Sequence, residues 1–97
     1  MNPEQQRIAI AEACGWKWER LWTGELHGKP VGEQGPFREV PDYLNDLNAM
    51  HEVESFLMDN EPYAYQRYGS NLYEAYGNTV HLTAAERAEA FLRTLDL

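Results

Sequence analysis

The pattern of apolar residues changes abruptly at Gly15. Before this glycine, Asn2 and Pro3 are typical of a helix start, and apolar residues recur at helical spacing. After it, aromatic and charged residues mostly alternate from Trp16 to Trp22, which is the two-residue period of a half-buried strand. The three tryptophans of this strand are expected to share one face. A helix followed at once by a strand restricts the chain to folds that combine both elements.

The segment after this strand is rich in residues that break regular structure. Between Thr23 and Pro41 the chain has four glycines and three prolines, with few large apolar residues. The stretch 26–31 is typical of a tight hairpin and 32–36 of a loop. The sequence therefore predicts a long Gly/Pro-containing loop over residues 23–41, which is either mobile or functional.

Two further amphipathic helices are predicted. Asn45 is a favourable N-cap for a helix from Asp46 to Met58, whose apolar residues recur at three- and four-residue spacing. Thr83 and Glu86 have the spacing of a capping box, which predicts the start of a last helix. The predicted buried side of that helix comprises Ala85, Ala88, Phe91 or Leu92, and Leu95.

Between these helices the sequence predicts short strands. They span Tyr63–Tyr68 and Leu72–Tyr76, with a turn at 69–71, and a final strand spans Thr79–Leu82. Short strands joined by hairpins favour an antiparallel sheet, and amphipathic helices must bury their apolar sides on it. We therefore predict one α+β domain over residues 1–97. It has a small antiparallel sheet of three to four strands with helices packed on it, in an α/β/α sandwich-like arrangement.

Three segments, Ile8–Trp16, Pro41–Glu54 and Leu82–Leu92, together span most of the chain in order. They resemble small bacteriophage proteins grouped as the phage ABA sandwich domain family. One position departs from that family, whose middle helix ends in a Trp-Glu-Val pattern where this chain has His51-Glu52-Val53. The resemblance implies helices on both sides of a sheet and a bacteriophage or prophage source. It implies no catalytic activity.

Charge and hydropathy exclude several classes of protein. The 97 residues contain eight basic and sixteen acidic side chains, for a net charge of −8, which argues against direct binding of nucleic acid because phosphate repels the chain. No apolar run is long enough for a membrane helix, and the N-terminal residues lack the features of a secretory signal. We therefore expect no membrane partner and a location in the host cytoplasm.

Residues that could perform chemistry are few and scattered. No phosphate-binding glycine loop, nucleophile elbow or zinc-protease motif is present. His27, His51 and His81 lie far apart in sequence, so their spacing predicts no metal site. Cys14 is the only cysteine; it excludes an internal disulfide and suits a small core position. These observations predict a protein that is not an enzyme and has no cofactor.

The distribution of charge points to a binding role. Seven carboxylates and no lysine or arginine lie between Glu39 and Glu61. Such a surface would be steered onto a basic groove and would place carboxylates where phosphates otherwise bind. The alternative is a solvated helix side in an acidic protein. The predicted partner-binding residues are Asp42, Asp46, Glu52, Glu54 and Asp59.

With the family resemblance, this distribution predicts a counter-defence inhibitor that is similar in action to anti-CRISPR proteins. Its partner would be a host immune protein with a basic surface, such as a nucleic-acid-binding defence effector.

Clustered tyrosines suggest a second function. Tyr63, Tyr65 and Arg67 would bind a nucleotide immune signal if the chain were an oligomeric sponge, because tyrosine rings stack on bases and arginine binds phosphate. If helices cover both sides of the sheet, the same tyrosines are core residues instead. A third alternative is a virion or morphogenesis component.

Overall fold

Three antiparallel strands form a sheet in the N-terminal half of the chain. The computed structural model describes residues 1–77 and 81–97, and in it β1 (Trp16–Arg20) pairs with β2 (Leu26–Pro30). β2 also pairs with the short β3 (Arg38–Glu39), so β2 is the central strand. Together with the four helices of the described ranges, this sheet forms a single compact domain. The predicted α+β class is confirmed.

The segment predicted as a long loop contributes two of these strands. Residues 26–30 are one strand and not a tight hairpin; the hairpin is instead formed by β1 and β2 through residues 21–25. Leu26 and Gly28 are both buried. The Leu26 side chain is part of the apolar core and so holds β2 against it. Trp22 lies in the hairpin connection with its side chain 97% exposed. The prediction that the three tryptophans share one face is therefore wrong.

The first helix begins and ends as the sequence predicts. α1 (Pro3–Ala13) has Asn2 as its N-cap, and the Asn2 and Gln5 side chains form a reciprocal capping box. Gly15 follows with a φ of +82°, a left-handed conformation that glycine adopts without steric cost.

The second and last helices differ from prediction in detail. α2 (Leu47–Asn60) is capped by Asp46 and not by Asn45, because the Asp46 carboxylate accepts two backbone N–H groups of the first turn. α4 (Ala84–Thr94) has the predicted capping box of Thr83 and Glu86. Its buried residues are Ala84, Ala88, Ala90, Phe91, Leu92 and Thr94. Ala85 is exposed, contrary to prediction, and Leu95 is half-buried.

The largest error of the sequence prediction concerns residues 62–76. The predicted strands Tyr63–Tyr68 and Leu72–Tyr76, with their turn at 69–71, form one continuous helix, α3 (Pro62–Tyr76). Its buried residues, Ala64, Tyr68 and Leu72, are each four apart. This helical spacing was masked by exposed tyrosines with strand-like alternation and by a glycine in the helix interior. The predicted final strand begins in residues 78–80, outside the described residues.

The helices share one apolar core. α3 packs on α2 and α4, while α1 packs on α4 and on β1. Tyr68 of α3 meets Phe91 of α4 edge to face, with ring centroids 6.4 Å apart. No helix among residues 1–77 and 81–97 combines the length and apolar character needed to cross a membrane.

Replacing each of two glycines by alanine tests the fold, because the two substitutions should change the free energy of unfolding in opposite directions. At Gly28 of β2, a Cβ atom would lie 2.1 Å from the Lys17 carbonyl oxygen of β1, so Gly28→Ala should lower the free energy of unfolding by about 1–3 kcal/mol or more. At Gly69 of α3, a Cβ atom meets no heavy atom within 4 Å, so Gly69→Ala should raise it by roughly 0.5–1 kcal/mol. Urea unfolding of both variants measures these changes. A destabilising Gly69→Ala would contradict the helix over residues 62–76.

Candidate functional site

Two of the predicted partner-binding carboxylates lie just before α2. Asp42 is exposed, and its carboxylate accepts a hydrogen bond from the Asn45 side chain at 3.0 Å. Asp46 is also exposed, but its Oδ1 caps the helix by accepting from the backbone N–H groups of Asn48 and Ala49 at 3.0 and 3.2 Å. Asp46 thus has a structural role at the helix start, whereas Asp42 is held only by a local side-chain contact.

Two others project from one side of α2. Glu52 and Asp59 are exposed and lie seven residues apart, which is two helical turns and about 10 Å along the axis. Glu54 lies on a different side of the helix, and its side chain is only 14% exposed. The structure therefore separates Glu54 from the other predicted partner-binding residues.

The Glu54 carboxylate is bound inside the fold. Its Oε2 accepts hydrogen bonds from the Tyr68 hydroxyl at 2.6 Å and from Arg87 Nη1 at 2.7 Å, and its Oε1 lies 2.9 Å from His51 Nδ1. Burial, followed by the hydrogen bond to Glu54, raises the pKa of Tyr68. Glu54 is therefore a structural residue that joins α2, α3 and α4, and little of its side chain is exposed for contact with a partner.

Within the described residues, most arginines pair with an acid, and for Arg7, Arg20 and Arg87 that acid is distant in sequence. The arginine salt bridges between residues of the described ranges are Arg7–Glu39, Arg20–Glu4, Arg38–Glu33, Arg87–Glu54 and Arg93–Glu89. By contrast, Asp42, Glu52 and Asp59 form no salt bridge with any residue in the described ranges. We call these three exposed carboxylates the acidic surface.

A cavity of about 340 Å³ lies between α2 and the sheet, beside the acidic surface. Its lining includes Trp16, Arg38, Tyr43, Glu52, Val53 and Phe56. The Arg38 guanidinium lies over the Trp16 ring, 4.9 Å from the centroid, and is hydrogen bonded to Glu33. We call this space the α2–sheet cavity. Among its lining residues, sequence reasoning singled out only Glu52 as a binding residue.

Tyr43 and Cys14 are two of the buried residues that line the α2–sheet cavity. Tyr43 is 2% exposed, and its hydroxyl forms no hydrogen bond with the rest of the described chain. Burial, with smaller effects of Cys14 and Glu52, raises the pKa of Tyr43. Burial also raises the pKa of the Cys14 thiol to about 12, so this thiol stays protonated at neutral pH. No sequence signal distinguishes Tyr43 from an ordinary core tyrosine.

The predicted nucleotide-binding residues are only partly brought together. Tyr63 and Arg67 line an open groove of about 550 Å³ between α3 and α4, together with Arg93, which sequence reasoning missed. Tyr65 lies elsewhere on α3, with its ring centroid 6.5 Å from that of Tyr68. The three predicted residues therefore do not form one site, because α3 is a helix and neighbouring positions on it point in different directions.

The histidines lie apart in space as well as in sequence. His27 Nε2 lies 3.2 Å from Glu25, His51 contacts Glu54, and His81 is exposed. Over residues 1–77 and 81–97, no three histidine, cysteine or acidic side chains form a group that could hold a metal ion.

Comparison with known protein families, curated proteins and solved structures finds no match to this chain. The resemblance to the phage ABA sandwich domain family stays a prediction.

Replacing Glu54 should destabilise the protein far more than replacing Glu52, two positions away. Glu54→Ala removes the carboxylate that Tyr68 and Arg87 share, and loss of one partner from a largely buried ion pair costs about 3 kcal/mol. Glu52→Ala removes an exposed side chain and should change the free energy of unfolding by at most about 0.5 kcal/mol. Denaturant unfolding measures both values. Similar values for the two variants would contradict the structural role of Glu54.

Proposed function

We propose that this protein is a non-enzymatic binding protein of a bacteriophage that blocks a host defence protein in the host cytoplasm. Its acidic surface, Asp42, Glu52 and Asp59, would occupy a basic groove that otherwise holds nucleic acid. The observation that supports this proposal most directly is that these carboxylates stay exposed and without a salt bridge in the described structure, although five arginines are paired elsewhere.

The charge of the whole chain favours the same kind of partner. A net charge of −8 attracts a basic protein at long range and raises the rate of encounter. Glu52 and Asp59 then present two negative charges on one helix side, where a basic groove would otherwise contact successive phosphates. Free nucleic acid is repelled by the same charge, so the protein would compete with nucleic acid without binding it.

Two double variants of equal net charge test the acidic surface. Glu52→Lys with Asp59→Lys reverses the charge on α2, whereas Glu19→Lys with Glu74→Lys reverses two exposed carboxylates elsewhere; both change the net charge from −8 to −4. Host proteins retained by the immobilised wild type should have an affinity for the α2 variant that is at least about tenfold lower than for the wild type. Their affinity for the control variant should differ from that for the wild type by less than roughly threefold. Binding should also weaken steeply as salt rises above about 0.15 M.

The retained host protein is then used to measure whether the phage protein displaces nucleic acid. Saturating wild-type protein should displace nucleic acid from it, and the α2 variant should not. Equal loss of binding in the two double variants would contradict recognition through the acidic surface, as would an affinity that does not change with salt.

A second candidate function is an oligomeric sponge for a nucleotide immune signal. Arg67 has no salt bridge within the described residues, and it lines the open α3–α4 groove with the 81% exposed Tyr63. These residues offer a positive charge for phosphate and a ring on which a base can stack.

Thermal or chemical unfolding with a panel of cyclic and linear nucleotides tests the sponge. A nucleotide at a hundred times its dissociation constant should stabilise the wild type by about 2.7 kcal/mol. Arg67→Ala should abolish that gain, whereas Arg20→Ala, at the exposed pair with Glu4, should retain it. Absence of stabilisation by every nucleotide would exclude this candidate.

A further inference from the structure

The strand β1 has a free edge on the side away from β2. β1 is the outermost strand of the sheet and pairs only with β2 in the described structure. Hydrogen-bonded positions alternate along an antiparallel pair, and the Leu21 N–H, which donates to Glu25, shows which positions face β2. The backbone groups of Trp16, Trp18 and Arg20 therefore point away from β2, and within the described residues they form no hydrogen bond. Such an edge is a template for pairing with a further strand.

Helix α1 contacts β1 through side chains and leaves the backbone of this edge unpaired. Trp18 Nε1 donates to Glu12 of α1 at 3.3 Å, and Arg20 Nη1 donates to Glu4 at 2.7 Å. Side chains at these alternate positions of β1 point to one face of the sheet, so α1 lies on that face. The intervening residues, Lys17 and Glu19, point to the opposite face and are exposed.

Lys17 and Glu19 are charges without a partner in the described structure. Neither side chain forms a salt bridge with a residue of the described ranges. Lys17 lies directly opposite Lys29 of β2, and like charges in directly opposite positions destabilise a strand pair. A strand added at the free edge is a second route by which an acidic side chain can come to lie directly opposite Lys17.

The order of charges along β1 is complementary to itself in one register. When two copies of β1 pair antiparallel about Trp18, Lys17 of each copy lies opposite Glu19 of the other. The same register joins the free backbone groups of the two edges in about six hydrogen bonds. Registers centred on Lys17 or on Glu19 instead place two lysines or two glutamates opposite each other, which destabilises the pair. The sequence of β1 therefore favours a two-fold arrangement with a second copy of this chain.

Tryptophan side chains add apolar area at this edge. Trp18 is half-buried and lies on the two-fold axis of the arrangement, where it forms an aromatic cross-strand pair with Trp18 of the second copy. Trp22 follows the strand by two residues, and its side chain is 97% exposed. Tryptophan is enriched in protein interfaces and among the residues that contribute most to their affinity.

We propose that this protein forms a two-fold symmetric dimer in which the β1 strands of two copies pair antiparallel about Trp18. The two three-stranded sheets then form one continuous sheet. Two Lys17–Glu19 ion pairs, one on each side of the axis, fix the register. This inference does not rest on the proposed function. The acidic surface lies outside β1, so each copy keeps all of it and binding of a host protein is measured separately.

Self-association of the full chain tests the inference. In analytical ultracentrifugation over about 5–500 µM protein, the mass should rise from the 11.2 kDa of one copy towards twice that value, with a dissociation constant on the order of 100 µM, because the interface is small. Hydrogen exchange followed by NMR locates the interface. The amides of Trp16, Trp18 and Arg20 should become protected only at concentrations at which the dimer forms.

Exchange of the two charges tests the register. Lys17→Glu alone, or Glu19→Lys alone, places like charges opposite each other twice in the dimer and should weaken it at least about tenfold. The double variant restores both ion pairs with the signs exchanged and keeps the net charge of −8, so it should dimerise within about threefold of the wild type. Arg67→Glu, at an exposed position of α3, is the control that matches Lys17→Glu in net charge, and it should change the affinity less than about threefold.

A chain that stays monomeric at the highest concentration would overturn the inference, as would a dimer that neither single variant weakens or that the double variant fails to restore. Protection of the edge amides only after a host protein is added would also overturn it, because the added strand would then come from that protein. Circular dichroism shows whether each variant is folded, and if one single variant unfolds, the other single variant decides. Absence of the dimer leaves the proposed function intact, since that function is tested by charge-dependent binding of a host protein.

Discussion

The hydrogen bonds of the Glu54 carboxylate join three of the helices, α2, α3 and α4. It extends from α2 and accepts hydrogen bonds from Tyr68 of α3 and Arg87 of α4, each at 2.7 Å or less. An ion pair with exposed fractions of only 12% and 14% is sensitive to the loss of either partner, because the remaining charge cannot be fully hydrated. The three helices therefore have a polar contact of defined geometry in addition to their apolar packing, which by itself is less directional.

A second set of polar contacts joins α1 to β3 and the residues just after it. Arg7 of α1 donates to the carbonyl oxygens of Val40 and Pro41, just after β3, and forms a salt bridge with Glu39. Arg20 and Arg87 likewise form salt bridges with acids that are distant in sequence, Glu4 and Glu54. Asp42, Glu52 and Asp59 remain exposed and without a salt bridge in the described ranges. The acidic surface is thus one part of the charge excess that remains after internal pairing, and the α2–sheet cavity lies directly beside it.

Local signals account for the parts of the fold that the sequence predicted correctly. Asn2 and Gly15 fix the two ends of α1, and Thr83 with Glu86 fixes the start of α4, because capping depends on residues only a few positions apart. Residues 62–76 were predicted wrongly because tyrosine favours strands, and an internal glycine is typical of turns. The burial of Ala64 and Tyr68 against neighbouring helices outweighed those local preferences.

Some features of the candidate site can likewise be predicted from the sequence, whereas others depend on the tertiary structure. The excess of acids between residues 39 and 61 is visible in the chain, and so is the helical position that separates Glu52 from Glu54. The sequence does not reveal that Glu54 is bound by Arg87, or that Tyr43 is buried beside a cavity between α2 and the sheet. The sequence by itself determined the α+β class, the starts of α1 and α4 and the excess of negative charge, since these depend on composition and short-range spacing. Only the tertiary structure decided which charges are neutralised and where a cavity opens, because both depend on contacts between residues far apart in the chain.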